Sequence, residues 1–244
     1  NGSHTLRNAP VLFNLAWQDK FHWDGEFSSL FDEAAQPING HIEMAESFSG
    51  VIDKLQKDAS YRKQFKKIFR TSFISPEHVL KALAQFTGTL TSANSKYDRY
   101  KKGTASYTAQ EEDGYQLFLT HCNSCHKEPL FTDYSLRNIG LPVESFFFVY
   151  WKLMLTKDPS DSLKFKVPTL RNVYISSNYM HDGRFNTLAQ CINHYRTGVQ
   201  QSTTLDPQLT NGIQLTDAEA INIALFLRTL TDSTFLQDTR YSKP

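Results

Sequence analysis

The chain has 244 residues and a net charge of +1, enough length for one large core or two small ones and no bulk electrostatic case for nucleic-acid binding. Its three cysteines leave no disulfide framework, and the longest apolar run, Phe146–Leu155, is too short to span a bilayer and carries Lys152. Aromatic residues make up 13% of the chain, a share that suits packing around a flat group. No signal peptide is visible, and a start at Asn1 rather than Met reads as a processed or truncated product.

From Asn1 to about Asp24 the chain reads as loop, with Arg7-Asn8-Ala9-Pro10 followed by an apolar-aromatic segment and an Asp24-Gly25 turn signal. A short helix is expected over Ser28–Ala35, stopped by Pro37, and a longer one over Glu43–Gln56 with Val51, Ile52 and Leu55 inward. A third, Tyr61–Phe69, turns Phe65, Ile68 and Phe69 inward and carries Arg62, Lys63, Lys66 and Lys67, with Arg70 just beyond, as a solvated face in preference to a docking patch. Ser75-Pro76-Glu77-His78 starts the next helix with Ser at the N-cap and Pro at N1, and apolar residues then repeat at helical spacing to Leu90. The polar, patternless stretch Asp98–Ser106 is the expected linker, dividing the chain into residues 1–103 and 104–244.

The second part opens with a capping box, Thr108-Ala109-Gln110-Glu111, whose helix runs through Gly114, Tyr115 and Phe118 into Cys122-Asn123-Ser124-Cys125-His126. Cys-x-x-Cys-His is the attachment signature of c-type haem: two thiols for thioether bonds and a histidine for iron. On a helical turn Cys122 and Cys125 lie at i and i+3, so their sulfurs face one side, and His126 follows as the proximal ligand. A zinc site would need a second Cys or His pair, whereas the one other cysteine is Cys191, and a dithiol redox pair would need a βαβ setting. Asn186–Tyr195 reads as a further helix ended by Gly198, and Thr216-Asp217-Ala218-Glu219 caps a last helix able to cross the first near a glycine. Strand signals are scarce. The fold class expected is all-α, with a cytochrome c-like frame in the second part. Met154 or Met180, lying between the haem motif and the last helix, is the sixth iron ligand that position alone suggests.

The order Arg7–Pro10, Phe21-His22-Trp23-Asp24-Gly25, Ile42-Glu43-Met44, Asn94–Tyr100, Phe165–Asn172 and Tyr179-Met180-His181-Asp182-Gly183 resembles the bacterial di-haem cytochrome c peroxidase and MauG family. The resemblance runs over nearly the whole chain. It implies two haem domains: the second carries the motif at Cys122, and a first Cys-x-x-Cys-His is expected upstream of Asn1. Residues 1–103 would then be the remainder of the N-terminal, peroxide-handling domain and residues 104–244 the C-terminal haem domain.

The resemblance also implies roles. Trp23 matches the tryptophan relay between the haems, and Glu43 the carboxylate that takes a proton from one peroxide oxygen and returns it to the other. Glu33 stands where relatives carry glutamine and would place a second carboxylate near Glu43; His22 and the segment Ser145–Met154 also depart from the family pattern. Asn8 matches a side-chain ligand, and Ser176 and Asn178 carbonyl ligands, of one calcium ion. Tyr195 falls at the position of the axial ligand and is the tyrosine of MauG-like members; the bland reading of the same residue is packing beside Ile192. The implied activity is reduction of hydrogen peroxide to water with electrons from a small redox protein, a cytochrome c or a cupredoxin. The alternatives are MauG-like oxidation of a protein side chain and a mono-haem electron carrier. A periplasmic location, a homodimer, haem c and calcium complete the implied picture.

Overall fold

A computed structural model of the protein describes residue 5 and residues 7–143 and 151–242, so most of the aromatic run at 145–154 lies outside the described residues. Two compact units emerge. The first comprises Val11–His22 and Phe27–Leu90 with the chain start through Thr5; the second comprises Leu6–Pro10, Trp23–Glu26 and Thr91–Pro244. Both are helical, and the second adds a small antiparallel pair, β1 (Leu136–Arg137) with β2 (Phe165–Lys166). Among the described residues no helix is long and apolar enough to cross a membrane.

In the first unit, α1 (Leu30–Glu33) and α2 (Gln36–Asn39) replace the single expected helix, because Ser29 caps α1 at Asp32 N–H and Pro37 sits inside the first turn of α2 rather than stopping a helix. Next, α3 (Phe48–Lys57) begins five residues later than Glu43: Ser47 is its N-cap, accepting from Gly50 N–H. Glu43 therefore lies on the preceding turn, its N–H donating to Gly40 at 3.0 Å. Packed with these are α4 (Ala59–Phe69) and α5 (Pro76–Thr89). The start of α5 is as expected, with His78 standing in for the usual Glu: its Nδ1 accepts from Ser75 N–H while Ser75 Oγ accepts from His78 N–H. Leu15, Ile38, Ile74, Val79 and Leu80 are buried in this unit.

The expected linker at 98–106 is instead part of the second unit. Ser95 caps α6 (Lys96–Lys101), and Asp98 is buried because it meets Arg171 in a bidentate ion pair, both distances 2.9 Å. Ser95 N–H and Oγ also donate to Asp98 at 2.8 Å each. Burial alone would raise the Asp98 pKa; the hydrogen bonds and charge of Arg171 outweigh it and hold the carboxyl below the usual range. A buried ion pair on a helix explains the polarity of 98–101, while 102–106 is turn and loop.

The core of the second unit is the crossing of α7 (Ala109–His121) with α10 (Asp217–Arg228), each opened by the expected capping box. Gly114 permits it: a Cβ there would lie 1.9 Å from the Asn222 carbonyl oxygen. Around the crossing Phe118, Phe131, Phe226 and Leu230 are fully buried. Each such side chain contributes about 1.5–3 kcal/mol of burial. After α8 (Trp151–Thr156), α9 (Leu188–Asn193) packs on α10, and α11 (Ser233–Leu236) follows it. The helix expected over Asn186–Tyr195 is shorter than that, since Thr187 caps α9 and the chain then widens into a π-helical turn, His194–Gly198.

Candidate functional site

The end of α7 delivers the haem motif. Cys122 is the C-cap, its N–H donating to Phe118 at 2.8 Å, and helical bonding continues through the motif: Cys125 N–H and His126 N–H both donate to the Cys122 carbonyl, at 3.2 and 2.9 Å. The three residues thus share one turn. Both cysteines are free thiols. Burial pushes the Cys122 thiol up to about 12 and raises that of Cys125 as well, the reverse of the activated thiolate a redox dithiol needs.

His126 Nδ1 lies 3.2 Å from the Phe131 carbonyl and 3.1 Å from the Pro168 carbonyl. Two carbonyls can only accept, so Nδ1 carries the proton and Nε2 keeps its lone pair. Burial also lowers the basicity of the ring, which keeps it neutral at pH 7. Two protonated thiols on one turn and a neutral imidazole with its lone pair at Nε2 are the donor set that c-type haem requires. The residues fit the group.

Tyr195 belongs to the same neighbourhood. Burial first, then the charges of Cys191, Cys122 and Cys125, push its phenol upward, so the buried side chain lies within electrostatic reach of both motif cysteines. The π turn beneath it is pinned twice. His194 Nε2 donates to the Ile139 carbonyl at 2.9 Å, and Ile213 N–H donates to the Tyr195 carbonyl at 2.7 Å. Gly212, at φ +62°, makes the second contact feasible, because a Cβ there would meet the Arg196 carbonyl at 2.7 Å. Met180 stands at φ +68° in the loop beside Asn8, and the side chain of Met154 lies outside the described residues.

Asn8 and Asn178 meet. The Asn8 side-chain amide donates to the carbonyls of Asn178 at 2.9 Å and Met180 at 3.3 Å, while Asn8 N–H donates to His181 at 2.9 Å. Ser176 ends the short turn Val173–Ile175 of the same loop, its N–H donating to Val173 at 3.2 Å. Half a turn of the Asn8 amide would bring its oxygen beside these carbonyls, an all-oxygen donor set that suits calcium. Trp23 is tied to this strand of chain: its indole Nε1 donates to the Asn8 carbonyl at 2.7 Å, and Lys166 N–H donates to the Trp23 carbonyl at 2.6 Å. Nearby, Arg7 lies over the Phe165 ring at 4.7 Å, and Phe165 stacks on His181 with centroids 3.7 Å apart.

The two candidate carboxylates of the first unit have different surroundings. Glu33 Oε1 is 3.6 Å from His22 Nε2, so the departure from the family pattern at position 22 and the one at 33 are partners. Glu43 is half-buried on its turn with its carboxylate folded over Gly40, where a Cβ would come 2.5 Å from Oε2. Sequence reasoning missed Arg137, which bridges Asp133 at 2.9 Å and Asp206 at 2.6 Å and lies within electrostatic reach of Cys125. The i, i+4 spacing of Asp133 and Arg137 was the visible half of that signal.

A family model described as di-haem cytochrome c peroxidase matches residues 1–106. The methylamine utilization protein MauG of Paracoccus denitrificans is 31% identical, over 94% of this chain and 75% of its own length. Cytochrome c peroxidase Ccp of Escherichia coli is 35% identical over 74% of this chain and 40% of its own. Among solved structures, a MauG-like protein associated with microbial copper homeostasis superposes with a TM-score of 0.92 at 27% identity, covering 100% of this chain and 80% of that one. The chain belongs to the di-haem cytochrome c peroxidase family.

Proposed function

We propose that this chain is part of a di-haem enzyme that reduces hydrogen peroxide to water, taking two electrons and two protons per peroxide from a small donor protein and solvent. The observation that carries the reading is the fixed tautomer of His126 beside two protonated thiols on one turn. Haem held by Cys122, Cys125 and His126 would supply one-electron chemistry; a second haem is expected on a segment upstream. Glu43 is the group that takes a proton from the attacking peroxide oxygen and returns it to the leaving one. Trp23 is the relay, its indole oriented by the Asn8 carbonyl. Asn8 with the Ser176 and Asn178 carbonyls would hold calcium, which stiffens the same strand of chain. The enzyme works in the periplasm, with a cytochrome c or a cupredoxin as donor and a homodimer as the assembly.

One consideration favours the MauG-like reading, oxidation of a protein side chain: Tyr195 falls at the axial-ligand position of the family, and its buried phenol is within electrostatic reach of Cys122 and Cys125. A phenolate is a harder, anionic donor than a thioether and favours ferric iron, which suits a low-potential centre better than a simple electron store. Pyridine haemochrome assay of the intact gene product, followed by peroxide consumption with a reduced donor, tests the main reading; two haems per chain and turnover are expected. One haem without turnover would leave an electron carrier. Ferric spectra of Tyr195→Phe decide the ligand, and a sulfur-to-iron charge-transfer band present in both proteins would restore methionine.

A further inference from the structure

Four tyrosines of the second unit lie in sequence from the haem-bearing turn to the surface. Tyr97, 3% exposed, sits edge-on to Phe131 at 4.7 Å, and Phe131 is the residue whose carbonyl accepts from His126. From Tyr97 the next ring is Tyr115 at 6.4 Å, then Tyr100 at 6.1 Å and Tyr107 at 5.9 Å. Tyr100 and Tyr107 are only half-buried and stack face to face, with centroids 3.9 Å apart and planes 8° from parallel.

Phenylalanine would fill these positions without the cost of burying hydroxyls. Here the hydroxyls are given bases. Tyr115 Oη donates to Glu128 Oε1 at 2.9 Å and Tyr100 Oη donates to Glu112 Oε2 at 3.0 Å, while burial first and then Glu128 push the Tyr97 phenol upward. A phenol oxidised by one electron becomes a strong acid, so a neutral radical forms only where a base already accepts its hydrogen bond. Stacked rings alone would be ordinary core; rings in sequence, with carboxylates accepting from the Tyr115 and Tyr100 hydroxyls, are a proton-coupled relay.

We propose that Tyr97, Tyr115 and Tyr100 form a redox chain that carries single oxidising equivalents from the haem side to the surface at Tyr100, with Tyr107 stacked on its last ring. The inference rests on haem attachment at Cys122 and Cys125. Haem held at Cys122 and Cys125 and oxidised by peroxide would supply the oxidising equivalent, taking the one electron that Tyr97 or Tyr115 loses. The phenolic proton passes to Glu128, leaving a neutral tyrosyl radical and a carboxylic acid. Tyr100 then reduces Tyr115, giving its own proton to Glu112 while Tyr115 recovers the one on Glu128. An external one-electron reductant, a small redox protein or an oxidisable side chain, restores Tyr100, whose proton returns from Glu112. The surface beside Tyr100 is thus an exchange point for single electrons.

Haem-loaded protein carrying ring-deuterated tyrosine, mixed with peroxide without a donor and frozen within milliseconds, tests this by electron paramagnetic resonance. The expected result is a radical signal that narrows on deuteration, is lost in the Tyr97→Phe/Tyr115→Phe double variant, and is lost or strongly reduced in Glu128→Gln, which keeps the volume and removes the base. Tyr61→Phe, on a helix of the first unit, leaves it unchanged. Should the double variant fail to fold, Glu128→Gln alone carries the test. Haem content measured on the same samples separates the two failures. A chain without covalent haem overturns the attachment and the relay together; full haem with no deuterium-sensitive signal, or a signal indifferent to both variants, overturns the relay alone.

Discussion

Helices α4 and α7 are similar in length, 11 and 13 residues, and in each an aromatic face alternates with charge, yet α7 buries Gly114, Tyr115 and Phe118 while α4 buries no residue fully. The difference lies in what crosses them. Against Gly114 the backbone of α10 comes close enough to exclude any side chain, and the aromatic residues on either side of that point close around it. On α4, Phe65 and Phe69 stack on each other at 5.6 Å, and Phe69 stacks on His78 at 4.5 Å, but Tyr61 and Ile68 remain open to solvent. Helical pattern makes a helix; a close crossing makes a core. The chemistry divides along the same line. In the second unit the candidate haem motif follows directly on the well-packed α7, whereas Glu33 and Glu43 in the first stand on a four-residue helix and a turn.

If that contrast is real, the largest single loss of stability should come from the second unit, at Arg171→Ala. The substitution strands Asp98, which is 8% exposed, with neither counter-charge nor water. It also frees the Pro129 carbonyl, which accepts from Arg171 at 2.9 and 2.7 Å just beyond the haem motif. The expected cost is about 3–5 kcal/mol in chemical denaturation. Arg171→Lys should recover only part of it, since an ammonium cannot hold both carboxylate oxygens in one plane. The pH dependence follows from the depressed pKa of Asp98. A carboxyl whose folded value lies below its unfolded one stabilises above the ordinary carboxylate pKa, and that stability is lost as pH falls through the folded value. Wild type should therefore lose stability on acidification more steeply than Arg171→Ala, and equal slopes would detach Asp98 from the effect.

Asp98 also shows where the sequence stops being legible. Capping boxes at Thr108 and Thr216 and the Ser75–Pro76 start were readable because each is a contact within four residues of chain. The haem motif was readable for the same reason: its chemistry fits inside one turn. Asp98 and Arg171 are 73 residues apart, so a buried ion pair looked like a hydrophilic linker. His126 takes its second carbonyl from Pro168, 42 residues on, and nothing local announces it. Tyr195 could be offered as an axial ligand only by counting along a family motif. Its π turn depends on Ile139 and Ile213, which periodicity does not connect to it. The pairing of His22 with Glu33 was likewise invisible, although both positions stood out singly as departures from the family.

Gly114→Ala probes the crossing itself. The added methyl would sit 1.9 Å from the Asn222 carbonyl oxygen, 2.5 Å from its carbon and 3.1 Å from Phe226 Cβ, so α10 must shift because a backbone cannot rotate away as a side chain can. On an isolated helix the change would help by roughly 0.5–1 kcal/mol. Here overpacking should reverse the sign and cost about 1–3 kcal/mol. The same shift moves Phe118 and Phe226, whose rings lie 5.0 Å apart, and with them the turn that carries Cys122. Haem incorporation should fall along with the melting temperature. Stabilisation by alanine, the outcome helix propensity alone would give, would show that the two helices separate more easily than the geometry implies.

The smallest effect should fall on α4, at Ile68→Ser. Isoleucine is a core residue by type, and helical spacing places it with Phe65 and Phe69 on an inward face. In the structure it is 68% exposed, while Ile223 on α10 is 3% exposed. A side chain that is open to water in both the folded and unfolded chain contributes little to their difference, so the substitution should change stability by no more than about 0.5 kcal/mol in either direction. Solubility should improve slightly, because Phe73, 62% exposed, belongs to the same unit and Ile68 would no longer add to its apolar surface. Matched urea titrations of wild type and Ile68→Ser give the answer, provided the slope with denaturant is unchanged. A loss of several kcal/mol would mean that this face of α4 is covered in solution, and the contrast between the two helices would then be one of partner rather than of packing.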